Sequence, residues 1–470
     1  MLQLFVDRER ELAFLEPHYN AKSAELIVLY GRRRVGKTEL VTKFSKDKPH
    51  VYFLAGRQPE LESIHELKLR MSIYLNDESF AKLDVKSWIE LFQEFSKWQK
   101  AERVILIVDE FPILIEGNHA IPSIFQKIWD QNLKDKNVML ILLGSSVSMM
   151  ETEVLDYRSP LYGRRTGQWK LEPLKLFHLK PFFPEYSVET LVNVHSCLGG
   201  VPAYLQKFDP DKGFWENVEQ KILAKGEFLY EEAESLLREE FREPRNYSSI
   251  LRAVAQGAST YGEILNLTGM DKSMLSKYTS VLEDLGFIKR TYPIGIKPKP
   301  RKGLYTIADN YLMFWFKYVF PNKADLETGN TTHVLAKIKE DYNTYLGHAF
   351  EQAATDFLTE MKQRKLLPFT FNAIGKWWFK NHEIDLIALD EENHAATFFE
   401  VKWSTLTKQD CERIRKNLEA NALLFRWNRK KDNFGIIAKK IQEKERLRRE
   451  GYFAFDLKDF ELDHVTKNQD

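Results

Sequence analysis

The first third of the chain alternates continuous apolar runs with segments in which apolar residues recur at helical spacing. The runs cover residues 26–30, 51–54, 104–108 and 138–143. Short runs that are apolar at nearly every position are typical of parallel strands buried on both faces. Residues 61–98 show helical spacing, with Leu91, Phe95 and Trp98 on one face. Strands that alternate with helices predict an α/β domain built on a parallel sheet.

The pattern changes near residue 248, where short amphipathic helices and a hairpin follow one another. Helical stripes lie at residues 250–254 and 261–268, and Asp271 is placed to cap a third helix. Residues 286–290 begin a hairpin, and residues 304–307 return it. This order predicts a helix-turn-helix with a wing.

The last third of the chain predicts a second mixture of helices and strands. The predicted elements are, in chain order, a helix over 348–354, strands over 383–389 and 396–403 joined by a turn at 390–394, a helix over 408–424 and a strand over 435–438. Residues 321–330, just before them, are predicted to form a loop.

Composition excludes several classes of protein. The formal net charge is +1, so any nucleic-acid surface must be a local patch. The two cysteines, Cys197 and Cys411, stand far apart, which argues against a disulfide scaffold or a zinc ribbon and favours a reducing cytosol. Residues 1–12 lack the apolar core of a signal peptide, and no apolar run is long enough to span a bilayer. We therefore expect a cytoplasmic protein without a membrane partner.

One glycine-rich segment directly follows the first apolar run. It matches G-x-x-x-x-G-K-[ST] in full and consists of Gly31, Arg32, Arg33, Arg34, Val35, Gly36, Lys37 and Thr38. A strand before it and an amphipathic helix after it are the context that this motif needs. Its backbone N–H groups would face the phosphates of ATP, with Lys37 reaching the β- and γ-phosphates and the Thr38 hydroxyl on Mg²⁺. The alternative is a basic glycine turn that binds nothing.

Two carboxylates end the third apolar run. Asp109 and Glu110 would lie at the carboxyl edge of the parallel sheet, where α/β folds bind ligands. Asp109 is expected to hold Mg²⁺ through water, and Glu110 to orient or deprotonate the attacking water. The alternative is a strand followed by an acidic turn. The fourth run ends in Gly144, Ser145 and Ser146, which either sense the γ-phosphate through a hydroxyl or form only a turn.

These motifs resemble, in their order, the prokaryotic AAA+/STAND-type ATPases often called archaeal ATPases. The resemblance includes residues 5–12, which form either an adenine-side lid or a solvated helix that packs its apolar residues inward. It also includes residues 161–165 and 199–205. The resemblance implies that Arg164 contacts phosphate and that Pro202 flanks adenine. Without the family, these residues would be a surface arginine and a helix-breaking turn.

The predicted wing is strongly basic. Residues 289–302 contain no acidic side chain and hold Lys289, Arg290, Lys297, Lys299, Arg301 and Lys302. Such a wing can neutralise several DNA phosphates, and Lys272 and Lys277 on the third helix can meet bases or phosphates. Alternatively, the winged helix serves as a lid or a protein dock, and its charges are only solvated.

Four polar residues of the last third predict a metal-dependent site. The antiparallel hairpin brings Asp385 near Glu400 and Lys402, which share a face. Asp385 and Glu400 can bind Mg²⁺ or Mn²⁺, Lys402 can position or activate water, and the helical Glu351 can complete the ligand set. These positions resemble the PD-(D/E)XK nuclease fold that follows archaeal-type ATPases, although Ile384 stands where many active members have proline. The alternatives are a hairpin with solvated charges and a nuclease fold without activity.

Together these expectations define an α/β protein with four regions. They are a P-loop AAA+/STAND-like ATPase core over 1–170, a helical lid over 171–240, a winged helix-turn-helix over 241–320 and an α/β restriction-endonuclease-like domain over 330–465. We expect ATP binding and hydrolysis coupled to DNA binding and to a Mg²⁺- or Mn²⁺-dependent endonuclease, in DNA processing or defence. ATP and DNA are the expected partners, and assembly into a homo-oligomer is left open.

Two other functions remain open from the sequence. One is a nucleotide-driven signalling switch whose C-terminal domain binds nucleic acid or protein without cleaving it. The other is a plain DNA-binding regulator, for which we expect no ATP hydrolysis and a strongly salt-dependent DNA affinity.

Overall fold

The computed structural model describes residues 5–98, 102–241, 243–297 and 303–461. The chain divides into two compact units, Met1–Pro173 and Leu174–Asp470. Across the described ranges, no helix combines the length and the apolar character needed to cross a membrane.

The first unit is built on a parallel sheet whose strands come from the apolar runs. They are β1 (Glu25–Tyr30), β2 (His50–Leu54), β3 (Val104–Asp109), β4 (Val138–Gly144) and β5 (Gly167–Lys170). Their order is β2-β3-β4-β1-β5, and each neighbouring pair is parallel. β1, β3 and β4 are buried at every position because apolar clusters cover both faces. The predicted parallel sheet is confirmed.

Helices cover the two faces of this sheet. They are α1 (Glu9–Tyr19), α2 (Lys37–Ser45), α3 (Glu60–Leu75), α4 (Glu78–Ala81), α5 (Trp88–Trp98), α6 (Phe111–Gly117), α7 (Ile121–Ile128) and α8 (Val147–Met149). Wider helical turns, Trp129–Leu133 and Met150–Leu155, extend α7 and α8. One face packs on α1 and α2 and the other on α3 to α7. Residues 61–98 form three helices rather than one stretch, because Asn76 ends α3 in the left-handed conformation at φ 54°.

The second unit begins with short helices around a core of aromatic residues. They are α9 (Val188–Leu198), α10 (Pro202–Leu205), α11 (Phe214–Asn217) and α12 (Phe228–Glu240), with a wider turn at Val218–Leu223 and 3₁₀ turns at Leu176–His178 and Lys180–Phe182. Buried polar groups of this core find backbone partners. The Tyr311 hydroxyl donates to the Leu229 carbonyl at 2.6 Å, and Trp315 Nε1 donates to the Tyr230 carbonyl at 2.9 Å.

Three helices and an antiparallel strand pair follow, as the pattern near residue 248 predicts. They are α13 (Pro244–Ala255), α14 (Tyr261–Thr268), α15 (Lys272–Asp284), β6 (Ile288–Thr291) and β7 (Leu304–Ile307). The Asp271 side chain accepts from the Met274 N–H at 2.8 Å and so caps α15. Further helices are α16 (Asn310–Phe314), extended by turns at Trp315–Val319 and Phe320–Asn322, and α17 (Lys323–Glu327). The predicted loop over 321–330 therefore contains a helical turn, which buries Leu326.

A long helix and a mixed sheet complete the second unit. The elements are α18 (Thr331–Gln363), β8 (Ala373–Phe379), β9 (His382–Asp390), β10 (Ala395–Leu406), α19 (Lys408–Leu424), β11 (Lys431–Ile441), α20 (Lys444–Arg449) and β12 (Phe453–Asp456). The sheet order is β12-β11-β10-β9-β8. β8, β9 and β10 pair antiparallel, whereas β11 pairs parallel with β10 and with β12. The parallel β10–β11 pair needs a crossover, which α19 supplies.

Candidate functional site

The glycine-rich loop joins β1 to α2. The Gly31 N–H donates to the Gly144 carbonyl at 3.3 Å, which ties the loop to the end of β4. A Cβ at Gly31 would lie 2.4 Å from the Leu171 carbonyl oxygen, so this close approach requires glycine. Arg34 and Gly36 have φ angles of 65° and 95°. The loop therefore curls around the N-terminus of α2, whose backbone N–H groups and dipole attract anions.

Lys37 occupies the first position of α2 and is 6% exposed. Its Nζ donates to the carbonyl oxygens of Gly31 and Arg32, at 2.9 Å each. The ammonium thus lies folded over the loop, beside the backbone groups that would hold phosphate.

Asp109 ends β3 and contacts Thr38. Because side chains alternate along a strand, Asp109 shares with Ile105 and Ile107 the face that packs on α2. Thr38 Oγ1 donates to Asp109 Oδ2 at 2.7 Å, and the Glu110 N–H donates to Asp109 Oδ1 at 2.8 Å. The hydroxyl and carboxylate predicted to hold Mg²⁺ are therefore in contact, and oxygen donors suit this hard cation.

Sequence reasoning missed a third member of this group, Tyr52 on β2. Its hydroxyl donates to Asp109 Oδ2 at 2.7 Å. Burial and the Asp109 carboxylate raise the pKa of Tyr52 far above its usual value, so the phenol keeps its proton and donates. A signal was available in the alternation of β2: Val51 and Phe53 face one core, so Tyr52 faces the other.

Glu110 has an uncommon backbone conformation, with φ 53° and ψ 43°. A left-handed conformation costs a residue with a side chain about 1–3 kcal/mol and persists only where its neighbours hold it. Ser145 Oγ donates to Glu110 Oε2 at 2.5 Å, and Ser145 is itself buried. The hydroxyl predicted to sense phosphate therefore touches the carboxylate predicted to act on water.

Arg8, also missed, braces the phosphate loop. It is 6% exposed, and its Nη2 donates to the carbonyls of Val35 at 2.9 Å and Glu172 at 3.1 Å. Its Nη1 donates to Glu11 Oε1 at 2.8 Å. Phe5 and Leu12 of residues 5–12 are partly buried against the apolar cluster between the sheet and α2, so this segment packs inward and also contacts the loop.

The two residues assigned by resemblance have other surroundings. Arg164 donates to Asp130 Oδ2 at 3.0 Å. Two residues later, the Thr166 N–H donates to the Leu26 carbonyl near the beginning of β1, whereas the phosphate loop follows the end of β1. Pro202 begins α10 in the second unit. The phosphate contact of Arg164 and the adenine contact of Pro202 stay predictions.

In the second unit, β9 and β10 bring Asp385, Glu400 and Lys402 together. Asp385 and Glu400 are the residues next to the last paired position of this antiparallel ladder. Lys402 Nζ lies 2.7 Å from Glu400 Oε1 and 3.3 Å from Asp385 Oδ2. These three predicted side chains share one site, and their chemical roles stay predictions.

Glu351 on α18 has a lysine partner that sequence reasoning missed. Lys376 Nζ lies 3.1 Å from Glu351 Oε2 and 3.6 Å from Glu383 Oε2. Lys376 lies where the register of β8 against β9 shifts, between Gly375 and Trp377. Such irregularities re-aim side chains.

The role of Asp385, Glu400 and Glu351 as metal ligands stays a prediction. Within the part of the chain that the structure describes, no three His, Cys, Asp or Glu side chains are placed to hold a metal ion. Lys376 and Lys402 instead pair with the carboxylates. Burial, together with the charge of Asp385, raises the pKa values of Glu400 and Glu351 above their usual range.

The candidate DNA-binding residues fall into two groups. Lys272 and Lys277 on α15 are exposed, as is Lys297 after β6. Lys289 is exposed too, but its Nζ donates to Gln352 Oε1 at 3.0 Å, and the Arg290 guanidinium lies 4.8 Å from the centre of the Tyr305 ring. The remaining candidates lie outside the described residues; they are Lys299, Arg301 and Lys302.

The segment after β6 packs against the C-terminal sheet. The Ile294 N–H donates to the Lys376 carbonyl at 3.0 Å, and Ile294 packs into the core around Trp377 and Phe398. A Cβ at Gly295 would lie 2.6 Å from the Phe425 ring. This part of the predicted wing is therefore an internal contact of the second unit.

Two family models match the chain. An ATPase domain found predominantly in Archaea matches residues 5–208. A family of archaeal and bacterial proteins of unknown function matches residues 315–414. The first match includes the phosphate loop and both carboxylates at the end of β3, and it supports ATP binding and hydrolysis.

Relatives share the sequence of this chain, and a solved structure shares its fold. An uncharacterised protein of Methanocaldococcus jannaschii is 40% identical over 457 residues, which cover 97% of this chain and 100% of the relative. An uncharacterised ATP-binding protein of that organism is 58% identical over 45 residues, 10% of this chain and 76% of its own. The Walker-type ATPase of Pyrococcus abyssi aligns with a TM-score of 0.50 and 24% identity over 67% of this chain and 96% of that one, which shows a shared fold.

Proposed function

This chain belongs to the same family as its Methanocaldococcus jannaschii relative, and from that premise we propose that it hydrolyses ATP. The hydrolysis would control the second unit of the chain, which would act on DNA. The observation that carries the proposal is the contact of Thr38 with Asp109, one residue before the strained Glu110. These groups lie at the edge of the sheet where the phosphate loop begins.

The proposed division of work follows from the contacts. Lys37 exchanges its two carbonyl partners for β- and γ-phosphate oxygens. Thr38 and Asp109 would hold Mg²⁺, which would neutralise phosphate charge. Glu110 orients the attacking water and accepts its proton, because its carboxylate is held at the same edge by Ser145.

Lys37→Ala tests this proposal. We expect loss of ATP binding by calorimetry, or loss of turnover by phosphate release. Lys43→Ala, on the exposed face of the same helix, is the matched control and should leave both unchanged. Unchanged binding and turnover in Lys37→Ala would overturn the assignment of the phosphate loop.

DNA binding is the second part of the proposal. Helices α13 to α15 followed by the β6–β7 pair have the element order of a winged helix-turn-helix. The exposure of Lys272 and Lys277 on α15 supports a contact with DNA phosphates at that helix. The docked segment after β6 leaves less of the wing for DNA than the sequence predicts.

The third part of the proposal, a nuclease-like domain, rests on the site that β9 and β10 form in the second unit. The order helix, three antiparallel strands, helix, strand is the one expected for such a domain, and Asp385, Glu400 and Lys402 converge in it. Binding of Mg²⁺ or Mn²⁺ would require Lys402 to release a carboxylate. The test is cleavage of several DNA and RNA forms with either ion, with Lys402→Ala as the loss-of-function variant and Lys380→Ala, at the β8–β9 turn, as the control.

The ion-paired state of these carboxylates favours one rival function, a nucleotide-driven switch that binds a partner without cutting. ATP turnover by the wild type with no cleavage under any of these conditions would select this switch. A cytoplasmic location and assembly into a homo-oligomer also stay predictions; chromatography with and without ATP tests the second.

A further inference from the structure

The carboxylate of Asp109 accepts hydrogen bonds on both oxygens. Oδ2 accepts from the hydroxyls of Thr38 and Tyr52, at 2.7 Å each. Oδ1 accepts from the Glu110 N–H at 2.8 Å. An ionised carboxylate has about four acceptor positions, so these three donors leave about one position of the Asp109 carboxylate for a further ligand. With both oxygens held, the carboxylate cannot rotate about its own axis without breaking a contact.

We propose that Tyr52 is a positioning residue of the ATPase site, one that orients Asp109 toward the magnesium ion and its water. This inference rests on the proposed ATP hydrolysis in the first unit. Tyr52 does not contact the reacting atoms; it acts through the carboxylate that it holds. Partners of this kind typically change metal affinity or activity by about 10–100-fold when they are removed.

The position of Tyr52 in the sheet explains why a tyrosine is needed there. In the parallel β2–β3 ladder Tyr52 pairs with Ile107, two residues before Asp109, and Leu54 pairs with Asp109 itself. The side chain of Leu54 has no hydrogen-bond donor, so a side-chain hydrogen bond from β2 to the Asp109 carboxylate must come diagonally from position 52. The Tyr52 side chain spans this diagonal, and its hydroxyl reaches Asp109 Oδ2 at 2.7 Å.

Packing fixes the ring that carries this hydroxyl. Tyr52 packs against the apolar cluster between the sheet and α2, together with Ile107. Thr38 lies in that same helix, so the cluster sets the distance between the two hydroxyl donors. The hydroxyl of Tyr52 can therefore be removed while the ring keeps its packing, which makes the role of the oxygen separable from that of the ring.

The test compares Tyr52→Phe and Tyr52→Met with the wild type in the full-length protein. Nucleotide affinity is measured with ADP in EDTA, and Mn²⁺ affinity is measured by electron paramagnetic resonance of free Mn²⁺ with ADP present. We expect unchanged metal-free nucleotide affinity and a loss of about 10–100-fold in Mn²⁺ affinity in both variants. In turnover assays, the Mg²⁺ concentration that gives the half-maximal rate should rise by a larger factor than the factor by which kcat falls.

Tyr19→Phe is the matched control, because Tyr19 packs against the same cluster. It should match the wild type in both affinities. A Mn²⁺ affinity of Tyr52→Phe within about twofold of the wild type would overturn the role of Tyr52 and leave ATP hydrolysis standing. A wild type that binds neither ADP nor Mn²⁺ would overturn the proposed function and this inference with it.

Discussion

The Ser145 hydroxyl donates to Oε2 of Glu110 at 2.5 Å and so links the ends of two neighbouring strands, β4 and β3. Glu110 lies in the left-handed conformation, and Ser145 directly follows the Gly144 whose carbonyl accepts from the phosphate loop. Loop, carboxylate and hydroxyl are therefore connected through three adjacent strand ends. A movement of the loop on binding phosphate would reach Glu110 through Ser145.

Ser145→Ala should lower kcat for ATP hydrolysis without changing nucleotide affinity. The hydroxyl fixes the carboxylate, and a misplacement of about 1 Å in a catalytic group can cost about 10²-fold in rate. Steady-state phosphate release and calorimetric ATP binding give the two quantities. Ser148→Ala is the control, because Ser148 is a nearby serine in the following helix α8. A higher kcat in Ser145→Ala would mean that Ser145 restrains Glu110 rather than positions it.

Arg8→Ala should destabilise the first unit and loosen its phosphate loop. The substitution removes the guanidinium that joins Glu11 to the carbonyls of Val35 and Glu172; of these residues, Arg8, Glu11 and Val35 are buried. Removal of one partner of a buried ion pair costs about 3–5 kcal/mol, because the other charge stays buried. Urea unfolding of the full-length protein measures the loss.

The exposed Arg10→Ala is the control for this experiment, since it removes an arginine from the same segment. A loss of stability in Arg8→Ala no larger than in Arg10→Ala would contradict the clamp. ATP affinity should fall in Arg8→Ala even at temperatures where it is fully folded.

Local sequence patterns were sufficient to predict the position of a residue where its contacts are close in sequence or follow from the alternation of side chains along a strand. The P-loop motif identifies Lys37 and Thr38, and the apolar run before Asp109 places it at the edge of the sheet. The hairpin turn is short, so the juxtaposition of Asp385 with Glu400 follows from strand pairing. Each of these inferences needs only one element and its neighbour.

The missed residues depend on contacts that no single element determines. Tyr52 lies 57 residues from Asp109, and Arg8 lies 27 residues from Val35. The contact of Lys376 with Glu351 depends on a register shift in β8. The docking of Ile294 on the C-terminal sheet likewise has no local signature, since a basic hairpin in solvent would have the same sequence pattern.

His195 should make the stability of the second unit depend on pH in mildly acidic solution. Burial lowers the pKa of His195 from 6.5 to about 4, although the nearby Asp309 carboxylate opposes the shift. The unfolded state therefore binds the extra proton first as pH falls. The contribution of His195 to the free energy of unfolding is complete above pH 6.5, the pKa of the unfolded state. It is lost as pH falls from there to about 4, by about 3 kcal/mol in all.

Urea unfolding from about pH 7.5 to about pH 4.5 measures this dependence. Other groups titrate in this range, so the informative quantity is the difference between the wild type and His195→Gln. The variant should lose less stability than the wild type over the interval. Equal losses in the two proteins would exclude His195 as the source.

Removal of Lys272 and Lys277 should weaken DNA binding more than removal of Lys289. All three lysines are exposed, but the Lys289 ammonium also donates to Gln352. Each lysine that contacts a phosphate contributes about one unit to the slope of log affinity against log salt concentration. The paired substitution Lys272→Ala with Lys277→Ala should therefore flatten that slope by up to about two units. Lys289→Ala should leave the slope nearly unchanged, and the reverse ranking would show that the wing, undocked from Gln352, is the surface that meets DNA.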